Sequence, residues 1–374
     1  MYQSVYQAVF QKGAVVGPRP SRAAVPEEET KMRVLFVIPG DAVGSSMIFA
    51  RRQLNAVRAC GLDVEVFYLK SRTSPWIIAR EFLRFRQEIR SRRPQIVHAH
   101  YGTVTALFSA LGAWGLPLVI TFRGGDLNPT NGGIVEIVRG WLGRLMSQAA
   151  ALSAGTIVCV SAQLRDRLWW RRQRAIVLPS GVDADVFYPL LREKARRKLG
   201  WSDGPVILFN ASYNPGIKRV DLAKAAVSLA RHVMPEMRME ILNGGCPPEM
   251  VPTYMNAADC LLVTSDQEGS PTVVQEALAC NLPVVSVDVG DVVERLRNVR
   301  RTCIVDRDPQ ALADALVHMC ARRERSDGRR KIQEFSSQGV ASQLCKIYRN
   351  LAPDSFAENQ DPHFSLVGLT KGVR

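Results

Sequence analysis

Residues 260–287 read CLLVTSDQEGSPTVVQEALACNLPVVSV. An apolar run over 260–263 stops at a polar loop holding Gly269, Ser270 and Pro271. A helix-length segment follows from Thr272, and a second apolar run covers 283–287. Pro271 suits a first helical turn, where its missing N–H is no loss. The order strand, loop, helix, strand is the repeating unit of a parallel sheet. Strands of such a sheet are buried on both faces and so read as unbroken apolar runs.

The same unit recurs outward in both directions. Upstream runs lie at 33–38, 64–69, 96–99, 118–122, 156–160 and 175–178, separated by amphipathic helix-length segments. A second series lies at 205–209, 238–242, 260–263, 283–287 and 302–305. Two βα series imply an α/β protein with two doubly wound, Rossmann-like domains facing a cleft. The join falls near Pro179–Pro189, where Pro, Gly and Asp break the pattern. The expected organisation is an extension over 1–31, an N-terminal domain over 32–185, a C-terminal domain over 186–350 and a polar tail over 351–374. Met32 opens the first strand and is the expected natural start of translation; the preceding apolar pieces are too short for a signal-peptide core.

The length, 374 residues with 47% hydrophobic and 22% charged, excludes a mostly disordered chain and suits about two domains. No apolar stretch approaches the roughly 18 residues of a membrane-spanning helix. Eight scattered cysteines without C-x-x-C spacing read as reduced core thiols of a cytoplasmic protein. The net charge is +14, of which +10 lies in 32–185, +3 in 186–374 and +1 in 1–31. The anion that this chain attracts is therefore expected to face the N-terminal half.

Glu268 precedes the helix of the opening segment, and Glu276 lies on it. Free amides of Thr272 and Val273, with the helix dipole, can receive a phosphate. A carboxylate in the first turns can accept bonds from vicinal sugar hydroxyls. From the two glutamates alone, a plain acidic loop complementing the dipole is the favoured reading.

Two glutamates at this spacing, followed by Glu-Ala-Leu-Ala-x-x-x-Pro-Val-Val, resemble the donor-site signature of retaining GT-B glycosyltransferases, in particular glycosyltransferase family 4. Other pieces resemble the family in order: His98-Ala-His100-Tyr, Thr121-Phe-Arg-Gly-Gly-Asp126, Leu178-Pro-Ser-Gly-Val-Asp183 through Phe187-Tyr-Pro189, Gly216-Ile-Lys218-Arg219, and 252–259. The style is similar to teichuronic-acid and other cell-surface polysaccharide transferases. The resemblance implies that Glu276 binds the donor ribose and Glu268 the donor sugar, with Ser270 and Thr272 beside them. It implies that Lys218 and Arg219 neutralise the leaving diphosphate. His98 and His100 would face the cleft, His100 as a catalytic group, and Asp126 would hold an acceptor hydroxyl. Gly44 and Ser45, in the loop Gly40–Ser46, would lie near acceptor and phosphates, though a simple βα turn reads as well.

Two departures stand out. Arg123 replaces the family His; a guanidinium cannot act as a base, so Arg123 is expected to clamp a phosphate or carboxylate. The Arg about five residues before the Lys is absent from Asn210–Pro215. The pairs Asp183/Asp185 and Asp306/Asp308 lie away from the donor loop, and no metal or other cofactor is expected.

The expected activity is transfer of a sugar from a nucleotide-diphosphate sugar to a hydroxyl of a lipid-linked glycan acceptor, with retention. A sugar-nucleotide epimerase or hydrolase on the same fold is the alternative; an inactive subunit and a non-catalytic nucleic-acid- or membrane-binding protein are others. No aromatic-basic RNA motif occurs, so nucleic acid is not an expected partner. Basic amphipathic segments at 76–93 and 164–174, the latter with Trp169 and Trp170, are expected to dock on an anionic membrane at the inner face of the plasma membrane.

Overall fold

The computed structural model describes residues 31–42, 47–130, 132–212 and 215–352. The expected extension before Met32, the Gly44 and Ser45 loop and most of the expected tail lie outside them.

The first series folds as β1 (Arg33–Pro39), α1 (Ile48–Ala59), β2 (Asp63–Leu69), α2 (Pro75–Arg92), β3 (Ile96–His100), α3 (Thr103–Gly112), β4 (Leu118–Phe122), α4 (Ile134–Ser153), β5 (Thr156–Cys159), α5 (Ala162–Asp166) and β6 (Ile176–Val177). Its six strands stand in the order β2-β1-β3-β4-β5-β6, all parallel. The second series gives α6 (Arg192–Leu199), β7 (Val206–Ser212), α7 (Pro215–Lys218), α8 (Val220–Ala230), β8 (Arg238–Asn243), α9 (Val251–Ala257), β9 (Cys260–Val263), α10 (Thr272–Ala279), β10 (Val284–Ser286), α11 (Val292–Leu296), β11 (Thr302–Ile304) and α12 (Pro309–Ala321). These five strands run parallel in the order β11-β10-β9-β7-β8. Each apolar run of the sequence is thus a strand, and the architecture is the expected pair of doubly wound sheets.

The alternation along β1 shows why its run is unbroken. Leu35 and Val37 join a core with Phe85 of α2, Phe108 of α3 and Ala150 of α4. Val34, Phe36 and Ile38 join another with Leu54 and Val57 of α1. That second core also contains Val340, Ala341, Leu344, Cys345 and Tyr348, all from a last helix, α13 (Ser337–Leu351). Residues 337–350, counted with the C-terminal domain on sequence, therefore pack on the first sheet beside α1. The chain crosses between the sheets twice at one place. Val182, outbound, donates its N–H to Phe335 O, and Ser337, inbound, donates to Val182 O, both at 2.9 Å.

The sheets meet closely through backbone. A Cβ on Gly269 would lie 2.1 Å from the Arg123 carbonyl oxygen, and Gly124, at φ +147°, faces the Gly269 amide. Only glycine admits such an approach and such a φ. Asn128 Nδ2 adds a bond to Glu268 O at 3.3 Å.

Candidate functional site

Loops at the carboxyl ends of the strands of both sheets enclose a cavity of about 370 Å³, where ligands of such folds are expected. Arg123 follows β4, Val160 follows β5, Ser180 follows β6, and α1 adds Phe49 and Arg52. From the second sheet come Asn210, Lys218, the turn Asn243–Cys246, and the loop 268–273 with Glu276.

Four of the expected donor residues meet here with Glu276. Lys218 ends α7 and forms an ion pair with Glu268. Its backbone is braced from behind, since Thr264 Oγ1 donates to Lys218 O at 2.9 Å and Asp266 N donates to Ile217 O. Ser270 donates to Asp291 Oδ2 at 2.8 Å, and Asp291 in turn holds Arg295. Thr272 opens α10, whose first turn lines the cavity. Glu276 is buried and accepts from Arg52 Nη1 of the opposite domain at 2.8 Å. Burial pushes its carboxyl above the usual range, and the Arg52 charge opposes that push.

Arg219 goes elsewhere. Left-handed at φ 55°, it is held by Asp221 and by Asp266, which also binds Arg307, and it does not line the cavity. The adjacent arginine thus serves the surface of the loop that carries Lys218.

Arg123 is the central cation on the facing wall. Its Nη1 donates to Ser180 Oγ at 2.9 Å; Nη2 donates to Gln53 Oε1 at 2.8 Å and to His100 Nδ1 at 2.9 Å. The Phe49 ring lies 4.4 Å away, and Nε–H has no partner among the described residues. Burial lowers the guanidinium to about 9, with Asp126 opposing, so it stays charged at neutral pH.

The histidines do not face the cleft. His98 and His100 do point the same way, but to the face covered by α1 and α13. His98 bonds Tyr348 Oη of α13 at 2.6 Å and Thr121 Oγ1 at 2.7 Å. His100, fully buried, stacks on His98 and Phe36. Burial holds its pKa well below the ordinary value, with His98 and Arg123 adding to the shift. Since Arg123 can only donate, Nδ1 is the acceptor and the ring proton sits on Nε2. His100 therefore positions Arg123 and does not line the cavity.

Asp126 is also turned inward. Its oxygens accept from the amides of Arg123, Gly124 and Gly102, and the side chain is buried. Burial still raises its carboxyl, because those bonds offset the desolvation only in part. It shapes the loop carrying Arg123 rather than presenting a carboxylate to an acceptor. The Asp pairs set aside as metal ligands have local work: Asp183 accepts from Asp185 N and Val186 N, and Asp308 caps α12.

Sequence reasoning missed Arg52, Phe49 and the turn Asn243–Cys246. None belongs to a motif; only the position of 243–246 just past a strand end pointed there. A second cavity of about 1020 Å³ lies within the first domain, with Lys70, Arg72, Tyr101 and Arg139 among its walls.

Among described residues of α2, the arginines are mostly occupied. Arg84 stacks on Phe67 and donates to Tyr68 O, and Arg86 donates to Gly112 O at the end of α3. No helix of the described residues is long and apolar enough to cross a membrane.

A family model described as Glycosyltransferase Family 4 matches residues 39–186, and one described as Glycosyl transferases group 1 matches 238–322. The chain is 28% identical over 253 residues to a D-inositol 3-phosphate glycosyltransferase of Geodermatophilus obscurus, covering 58% of this chain and 56% of that protein. It is 28% identical over 254 residues to the putative teichuronic acid biosynthesis glycosyltransferase TuaC of Bacillus subtilis, covering 60% and 61%. The match thus spans about three fifths of the length of these relatives. Among solved structures, a sucrose-phosphate synthase from Thermosynechococcus elongatus superposes with TM-score 0.71 at 17% identity, over 87% of this chain and 100% of that one. The Anabaena protein HepE, solved with UDP and glucose, gives 0.67 at 15% identity, over 86% and 100%. These two show the fold alone. The two family models thus fall in order on the two sheets of a GT-B fold, a region that matches Glycosyltransferase Family 4 followed by one that matches Glycosyl transferases group 1.

Proposed function

We propose that the chain is a retaining glycosyltransferase that moves a sugar from a nucleotide-diphosphate sugar to an acceptor hydroxyl presented by the first domain. One observation carries this reading: Glu276, Glu268, Lys218 and the first turn of α10 converge on one cavity that Arg123 faces. Glu276 would take the ribose hydroxyls, exchanging its bond from Arg52 for bonds from the sugar. Lys218 would meet the charge that builds on the leaving diphosphate, and the amides of Thr272 and Val273 would hold a phosphate. Glu268, released from Lys218, would accept from hydroxyls of the donor sugar.

The bond from the anomeric carbon to the diphosphate breaks as the acceptor oxygen attacks the same face. The departing phosphate oxygen takes the acceptor proton, so no enzyme nucleophile is needed. Arg123 would bind an anionic group, since it cannot accept a proton and is locked by three side chains. With charge supplied by Lys218 and Arg123, no step calls for a metal.

The acceptor is proposed to be an anionic, lipid-linked glycan of a cell-surface polysaccharide, reached by the chain as a peripheral protein of the cytoplasmic membrane face. The basic walls of the second cavity, Lys70, Arg72 and Arg139, suit such a ligand. A phosphate-bearing acceptor and a teichuronic acid pathway also stand in the names of the two relatives.

Thermal shift against a panel of UDP-, GDP- and ADP-sugars tests the donor, because stabilisation grows with ligand concentration over dissociation constant. One donor should stand out, and Glu276→Ala should abolish its shift. An unchanged shift in that variant would move the nucleotide elsewhere. Donor turned over to a free epimer without acceptor would replace transfer by epimerisation.

A further inference from the structure

Helix α4 is built inside out. On a surface helix the apolar stripe normally turns to the core. Here Ser147, Gln148, Ala150 and Ala151 face inward and are buried. Ile134, Val138, Trp141 and Leu145, at i, i+4, i+7 and i+11, form one stripe on the outside. Ile134 is 82% exposed, and the other three lie between 45% and 52%. Val135, at 74%, widens the stripe at its start. An apolar face of this kind marks a partner.

The charges around it indicate which partner. Arg144 lies 5.6 Å from the ring centroids of both Trp141 and Trp169, tying α4 to the segment after α5. α5 and the segment after it add Arg165, which pairs with the single acid Asp166, and Arg172 and Arg174, while α4 itself has one acid, Glu136. Half-exposed tryptophans bordered by arginines suit the headgroup level of an anionic bilayer, with aliphatic side chains below it. A second copy fits less well, because a two-fold contact would set the same arginines against each other.

We propose that α4 lies in the plane of an anionic bilayer and inserts this stripe, docking the first domain. The proposal rests on the peripheral-membrane reading above and names the element that performs it. It shifts that role away from α2, whose Arg84 and Arg86 serve internal bonds. The inner side of α4 walls the second cavity through Arg139, Gly140 and Gly143. A lipid-linked acceptor would thus meet that cavity next to the inserted stripe.

The full chain is sedimented with phosphatidylcholine vesicles containing phosphatidylglycerol and with phosphatidylcholine alone, following tryptophan emission. Wild type should bind the anionic vesicles with a blue shift. The triple variant Ile134→Ser, Val138→Ser, Trp141→Ser should lose at least about tenfold in partition, since it removes three inserted apolar side chains. Its melting should shift by only a few degrees, as Ile134 is largely exposed and Val138 and Trp141 are about half exposed. Neutralising Arg84, Arg86 and Arg90 should leave binding near wild type. Full binding by the α4 variant would overturn the assignment, and loss confined to the α2 variant would do so while keeping membrane docking. Absence of wild-type binding to either vesicle would overturn both the assignment and the membrane reading. A dimer in sedimentation velocity that the α4 variant abolishes, without vesicle binding, would assign the stripe to a second copy instead.

Discussion

Substituting Gly269 by alanine would drive a wedge between the two domains. The new Cβ would lie 2.1 Å from the Arg123 carbonyl oxygen and 2.8 Å from its carbonyl carbon. A carbon and a carbonyl oxygen rest at about 3.3 Å or more, so the two loops must part by roughly 1 Å. Neither side can yield by rotating a side chain, because the obstacle is backbone. The strain is therefore released by opening the cleft. A 1 Å misplacement of reacting groups costs on the order of 10²-fold in rate, equivalent to about 2.7 kcal/mol of barrier. Initial rates of nucleotide release at saturating acceptor measure it, with thermal shift reporting donor affinity separately. Turnover should fall by that factor, while donor affinity, which the proposed function places on Lys218 and Glu276, should change far less. Wild-type kcat/KM in a folded Gly269→Ala protein would refute the claim that this contact sets the distance between donor and acceptor.

Arg52→Ala leaves the Glu276 carboxyl buried without its cation. The folded-state pKa of Glu276 already lies above its ordinary value, so stability from this group falls as pH rises from that value through the folded one. Removing Arg52 raises the folded value further. The stability gap between wild type and variant should be small near pH 4 and open to about 1–2 kcal/mol at pH 7, below a fully buried pair because Arg52 is partly exposed. An equal gap at both pH values would contradict this. Tyr348→Phe removes the 2.6 Å partner of His98 Nδ1 inside the core that α13 and α1 form with the first sheet. Urea unfolding should show a loss of about 1–3 kcal/mol for the stranded buried nitrogen, and an unchanged midpoint would mean that α13 is held by apolar packing alone.

The strands were legible because a parallel strand covered on both faces must be apolar at every position, and eleven such runs stand clear of their helices. Lys218, Glu268 and Glu276 were legible for a different reason. They lie within two local βα units, so their approach follows from the unit itself. Arg219 shows the limit, since a neighbouring position on the same loop points to the surface once Asp221 and Asp266 claim it. Arg52 carried no signal: it is one arginine of a surface helix until the second domain places Glu276 opposite it.

His98, His100 and Asp126 mark the boundary most clearly. The sequence by itself determined that both imidazoles share one side of β3, because strand geometry alternates every residue. It also determined two doubly wound sheets and a positive first half. Only the tertiary structure decided that this side of β3 lies under α13, a helix that begins more than two hundred residues later and returns across the cleft. Burial beneath it makes His100 a neutral acceptor that fixes Arg123. The outward apolar stripe of α4 was settled in the same way, since periodicity marks one face of a helix as apolar but the packing of its opposite, small-residue face against α3 decides which one meets the outside.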